Sequence, residues 1–104
     1  MRYYINGDDL PDVDSLKLFL MSEGHSIVCP IDVQHVLPQL DAFEFNDMIR
    51  ILVKISDGVF IPKGWEKTKI GKMEIEFARL FRKKIRYESK QRSLQKQVGE
   101  IWNE

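Results

Sequence analysis

Glu74 is the residue whose type and position most directly suggest chemistry. It falls in the run from Thr68 to Phe81, where Ile70, Met73, Phe77, Leu80 and Phe81 recur at helical spacing. At about 100° per residue these five side chains occupy roughly a third of the circle. Lys72 and Arg79 lie opposite, and Glu76 falls outside the apolar arc. Glu74 is four residues after Ile70, three before Phe77 and seven before Phe81. It is therefore expected along the inward edge of the stripe, near the helix start. Desolvation there raises a carboxyl pKa, whereas the helix N-terminus and Lys63, Lys67 or Lys69 would keep the group ionised. A half-buried anionic carboxylate is a candidate nucleophile or general base. The competing reading is a structural glutamate, paired with a lysine or with capping amides.

Three further side chains bear on that chemistry. Asp47 falls in the first turn of the preceding helix, where a negative charge complements the dipole. Tyr4 sits near the carboxyl end of the first strand. Alternation sends it and Tyr3 to opposite faces, so one of the two can reach a crevice. Trp65 lies in the loop after the third strand, where an indole could stack on a base or sugar or simply anchor the loop. Asp57 reads as a turn residue. Cys29, beside Pro30, reads as a small apolar filler, and His25 as solvated or capping. The two histidines, His25 and His35, lack zinc-type spacing. No P-loop, dinucleotide fingerprint or Ser-His-Asp signature is present, so neither metal nor cofactor is expected.

These residues need a scaffold, and the pattern alternates strand and helix. Strands are predicted at Arg2 to Ile5, Ser26 to Cys29, Gly58 to Ile61 and Lys84 to Tyr87. Helices are predicted from about Asp12 to Glu23, Phe45 to Ser56 and Thr68 to Phe81, with a last one from Ser89. Residues 31–42 read as irregular, with a helical turn around Val33 to Leu37. Pro62 to Trp65 reads as a loop. Helices of about 10–15 residues between strands imply right-handed crossovers. The fold class is α/β: an open parallel sheet of about four strands with helices on both faces, flavodoxin-like. Ligands of such sheets sit beyond the strand carboxyl ends. That directs attention to Asn6–Asp9, to the segment after Pro30, and to Pro62–Lys67.

With 104 residues the chain is one domain, 1–104, in which 88–104 forms a C-terminal helix. Apolar residues make up 43% and the net charge is zero, which argues for a folded globule. Residues 1–61 hold four basic against ten acidic side chains, a net of −6. Residues 62–96 hold twelve basic against four acidic, a net of +8. Interleaving of the two halves partly cancels their fields, which argues against nucleic acid as a partner. No apolar run is long enough to span a membrane. The single Cys29 and the absence of a signal-type apolar segment lead to the expectation of a reduced, cytoplasmic setting.

Taken together, the motifs resemble those of nucleoside 2-deoxyribosyltransferases and of small phage and bacterial domains related to them. Gly71-Lys72-Met73-Glu74-Ile75-Glu76-Phe77-Ala78 is similar to the family's Glu-bearing helix. Phe45-Asn46-Asp47-Met48 and Ile55-Ser56-Asp57-Gly58-Val59-Phe60-Ile61 resemble its Asn-Asp helix and central strand. Tyr4-Ile5-Asn6-Gly7 and Ile61-Pro62-Lys63-Gly64-Trp65 resemble the opening strand and the loop after strand three. The resemblance spans residues 2 to about 87. It implies a flavodoxin-like fold and displacement at the anomeric carbon of a deoxynucleoside. Glu74 would be the nucleophile, Asp47 would hold or protonate the leaving base, and Tyr4 would orient the glutamate or the sugar. Gly7, Asp8, Trp65 and Gly71 would bind substrate. The Asp8–Asp9 pair would repel a phosphate, so a nucleoside rather than a nucleotide is the expected ligand. A homo-oligomer is expected, because in the family a neighbouring subunit helps close the site.

Overall fold

The computed structural model describes residues 1–6, 13–36 and 39–88, with the backbone alone described at 34–36. Four strands form one parallel sheet: β1 (Arg2–Ile5), β2 (Ser26–Val28), β3 (Gly58–Ile61) and β4 (Lys84–Tyr87). Their order is β2-β1-β3-β4. The helices are α1 (Val13–Ser22), α2 (Pro30–Val36), α3 (Ala42–Ile55) and α4 (Lys69–Leu80), with a 3₁₀ turn at Trp65–Lys67. The expected open parallel α/β sheet is present. The proposed C-terminal helix, and the candidate residues Gly7 and Asp8, lie outside the described residues.

The strand register explains which side chains meet. Tyr4 pairs with Val28 on one side and Val59 on the other, and Val59 pairs with Ile85. Paired residues share a face, so these four point the same way. They form one core with Ile49 and Val53 of α3 and Ile75 and Ala78 of α4. The alternate residues Tyr3, Ile5 and Phe60 point to the other face and pack on Val13, Leu16 and Leu20 of α1. Tyr3 and Tyr4 therefore serve different cores. On the α1 side, Arg86 of β4 reaches across to Glu23 with bonds of 2.7 and 3.3 Å. Its guanidinium lies 5.5 Å from the Phe19 ring centre and 5.7 Å from that of Phe60, within cation–π range. That clamp ties the edge strand to α1.

Several element boundaries differ from the pattern-based expectation. Residues after Cys29 are helical rather than irregular: α2 starts at Pro30, a residue suited to a first helical position because it has no N–H to leave unpaired. The third helix begins at Ala42, not Phe45. Asp41 caps it by accepting from the Glu44 amide at 2.8 Å, while Glu44 accepts from the Asp41 amide at 3.0 Å. This reciprocal capping box fixes the start. Asp47 is consequently a turn further into the helix than expected. Asp57 accepts from the Arg2 amide at 2.7 Å and its own amide donates to the Arg2 carbonyl at 2.8 Å, pinning the starts of β1 and β3 together.

Helix α4 ends without a glycine. Arg82 takes the left-handed conformation at φ 56°, and Lys83 N–H closes on Ala78 C=O at 2.7 Å. A Cβ in that region costs about 1–2 kcal/mol. Arg82→Gly is therefore expected to stabilise the protein by about 0.5–1 kcal/mol, after the greater unfolded-state freedom of glycine is set against it. Urea unfolding checks this; an unchanged midpoint would deny the strain.

Candidate functional site

The order β2-β1-β3-β4 puts a topological switch between β1 and β3: the chain leaves β1 toward one edge and later builds β3 and β4 toward the other. In open α/β sheets the crevice beyond the strand ends at this point is where ligands bind. Tyr4 and Asn6 sit at the carboxyl end of β1. Trp65 opens the turn after β3, and Glu74 projects from α4. Local sequence chemistry delivers the last two. Gly64 adopts φ 86°, a left-handed value glycine reaches without penalty, and turns the chain so that Trp65 points inward. The Trp65 amide donates to Pro62 C=O at 3.0 Å. Thr68 then caps α4, accepting from Gly71 N–H at 2.9 Å while its hydroxyl donates to the Trp65 carbonyl at 2.7 Å.

Glu74 has no solvent-exposed surface. Its Oε2 accepts from the Tyr4 hydroxyl and, at 2.8 Å, from Asn6 Nδ2. Its Oε1 accepts from Trp65 Nε1 at 2.7 Å. Tyr4 is fully buried, and Asn6 and Trp65 nearly so. The sequence placed the carboxylate at the rim of the stripe. In the structure it lies at the centre of the buried face, among Gly71, Ile75 and Ala78. The small Ala78 packs in the core beside the sheet and Gly71 lets the Trp65–Thr68 turn close on the helix, while Met73, Phe77 and Phe81 fill the flank of the core. Leu80, expected in the stripe, is 69% exposed for the same reason.

Electrostatically the site is a buried carboxyl held by neutral donors. Burial pushes the Glu74 carboxyl above the ordinary glutamate range, and the bonds from Tyr4, Trp65 and Asn6 pull it partly back. Burial, then the Glu74 charge, pushes the Tyr4 hydroxyl well above the ordinary tyrosine range. Tyr4 therefore keeps its proton and donates it. The expected lysine partners are not there: Lys63, Lys67 and Lys69 are exposed, and among the described residues no cation pairs with Glu74. Lysine heads on this helix and its leading turn stay in water, where their hydration costs nothing to keep.

The other candidates are placed as follows. Asp47 is on the solvent side of α3, its side chain 69% exposed and 3.6 Å from Arg50 Nε. The structure does not bring it to Glu74. Trp65 is not an open stacking platform; it is an anchor whose N–H is spent on the carboxylate. Gly71 is buried rather than open to a ligand. A Cβ there would lie 1.9 Å from the Trp65 carbonyl oxygen, closer than any real contact. Gly71→Ala is expected to cost about 1–3 kcal/mol or more by forcing the turn and α4 apart, read as a lower thermal midpoint with weakened near-ultraviolet signal from Trp65. A midpoint equal to the parent's would mean the turn yields freely. Cys29 is buried, as a filler should be.

Asn6 was missed. It looks like the first residue of a turn cluster, yet the alternation that carries Tyr4 toward α4 also carries the residue two further on. Among the described residues no group of His, Cys, Asp and Glu could hold a metal, and no helix is long and apolar enough to cross a membrane. No protein-family model, curated protein or solved structure matches the chain significantly.

Proposed function

We propose that the chain cleaves or transfers the N-glycosidic bond of a nucleoside-like small molecule, with Glu74 as nucleophile. The observation that carries this reading is the ionisable carboxylate at the switch point, hydrogen-bonded by Tyr4 in the way the motif resemblance implies. A carboxylate at that place can stabilise the positive charge that develops at the anomeric carbon and then bond to it. Tyr4 orients the carboxylate and, by donating to Oε2, stabilises the negative charge that the carboxylate regains as the ester breaks. The leaving base takes its proton from water, because Asp47 faces solvent.

Full burial of Glu74 favours a second reading on the same fold. In it the carboxylate is a polar hub that joins β1, the 3₁₀ turn and α4, and the domain binds a nucleoside-like ligand or a protein without chemistry. The two are separated by incubating the protein with a panel of purine and pyrimidine deoxynucleosides and following free base chromatographically. Base release by the parent and none by Glu74→Gln is the outcome expected of the enzyme. No release by the folded parent would leave the binding module.

A further inference from the structure

We propose that Asn6 and Trp65 are positioning residues: Asn6, with Tyr4, fills Glu74 Oε2, and Trp65 holds Oε1 from one side and leaves it as the atom that attacks the sugar. The proposal rests on the glycosyl-transfer reading of the site. An ionised carboxylate offers about four lone-pair sites, two on each oxygen. Tyr4 and Asn6 occupy both on Oε2. Trp65 occupies one on Oε1. Among the described residues nothing takes the one remaining pair, which belongs to Oε1.

The chemical identity of the three donors makes this assignment asymmetric. An indole N–H donates and never accepts, so Trp65 offers no partner to a proton on Oε1. When the carboxyl does take up a proton, Oε2 receives it. The Tyr4 hydroxyl can rotate and the Asn6 amide can turn over, so both can accept from it. Trp65 thereby disfavours a proton on the oxygen it touches. It is itself fixed, since its carbonyl receives the Thr68 hydroxyl and its own amide reaches Pro62.

The reaction then balances as two displacements. In the first, a lone pair of Oε1 forms the C1′–O bond as the C1′–N bond breaks. The bonding pair leaves on the base nitrogen, which takes a proton from water. In the second, a water oxygen or the ring nitrogen of a second nucleobase attacks C1′, its proton passes to solvent, and the electron pair returns to Oε1. Two inversions give net retention. Substrate reaches Oε1 only after the groups that cover Glu74 move aside, because the side chain is fully enclosed.

The test uses Trp65→Phe and Asn6→Ala in the full chain, with Glu74 followed by carboxyl carbon resonances assigned through Glu74→Gln. The carboxyl is expected to titrate at higher pH in both variants than in the parent. The acid limb of kcat is expected to move the same way, with kcat down about 10–100-fold and KM little changed. A merely structural role would lower stability and leave the titration where it was, which would overturn the proposal. If Trp65→Phe does not fold, Trp102→Phe leaves Trp65 as the single indole. Its emission should then follow Glu74 ionisation and lose that pH dependence in Glu74→Gln. Emission that ignores Glu74 would also overturn the assignment. Should the parent release no base, the glycosyl reading fails, while the titrations still decide whether these donors hold the carboxylate.

Discussion

Glu74→Ala is expected to lower the unfolding free energy by about 3–5 kcal/mol, an exceptional loss for one substitution. The reason lies in what stays behind. The Tyr4 hydroxyl, the Asn6 amide and the Trp65 N–H all donate to this one carboxylate, and all three residues are buried. A buried donor without an acceptor costs about 1–3 kcal/mol, less whatever an entering water repays. Against a total stability of about 5–15 kcal/mol for a domain of this kind, the loss is a large share. Urea unfolding followed by circular dichroism gives the number. A change below about 1 kcal/mol would mean that the three donors find other acceptors at little cost, and the hub would lose its structural importance.

Glu74→Gln is expected to show the opposite profile: a fold that survives and a loss of the proposed glycosyl-transfer activity. The amide keeps an acceptor for Trp65 and presents an N–H₂ to Tyr4, which can rotate to accept, and to Asn6, which can turn over. Its oxygen is a poor nucleophile, so kcat/KM is expected to fall by on the order of 10³-fold or more. Stability supplies an independent check. Below the ordinary glutamate value of 4.5 the group is protonated in both folded and unfolded chains. Between that value and the raised folded value, the folded chain holds a proton that the unfolded chain has released. Stability therefore falls as pH rises through this window and levels off above it. Gln does not titrate. The parent should accordingly lose stability relative to Glu74→Gln as pH rises from about 4.5, and a constant difference would mean that burial does not govern this carboxylate.

The architecture was legible because apolar runs and helix periods repeat cleanly. Gly58–Ile61 is buried on both faces and reads as such, and it forms the inner strand beside β1. Boundaries failed where a cap, not the periodic pattern, decides. Asp41 and Glu44 start α3 before its stripe begins, and Arg82 ends α4 where a glycine would have been the signal. Of the site, Glu74 and Tyr4 were legible: one breaks an apolar pattern, the other follows strand alternation. The partners of Glu74 were not. Lysines near it in sequence suggested an ion pair, but charge proximity along the chain says nothing of direction. The indole of Trp65 turns inward because Gly64 permits it, and Asn6 sits one residue past the assigned strand while continuing its alternation. Asp47 shows the converse. A motif placed it at the site, but the capping box sets a helical phase that leaves it beside Arg50 in solvent.

The most direct measurement is an acid quench of the parent during incubation with a deoxynucleoside, followed by peptide mass spectrometry. The expected result is a deoxyribosyl ester on the peptide that carries Glu74, absent from Glu74→Gln. Base release with an ester on some other residue, or with no ester and inverted stereochemistry at C1′, would contradict a nucleophilic Glu74.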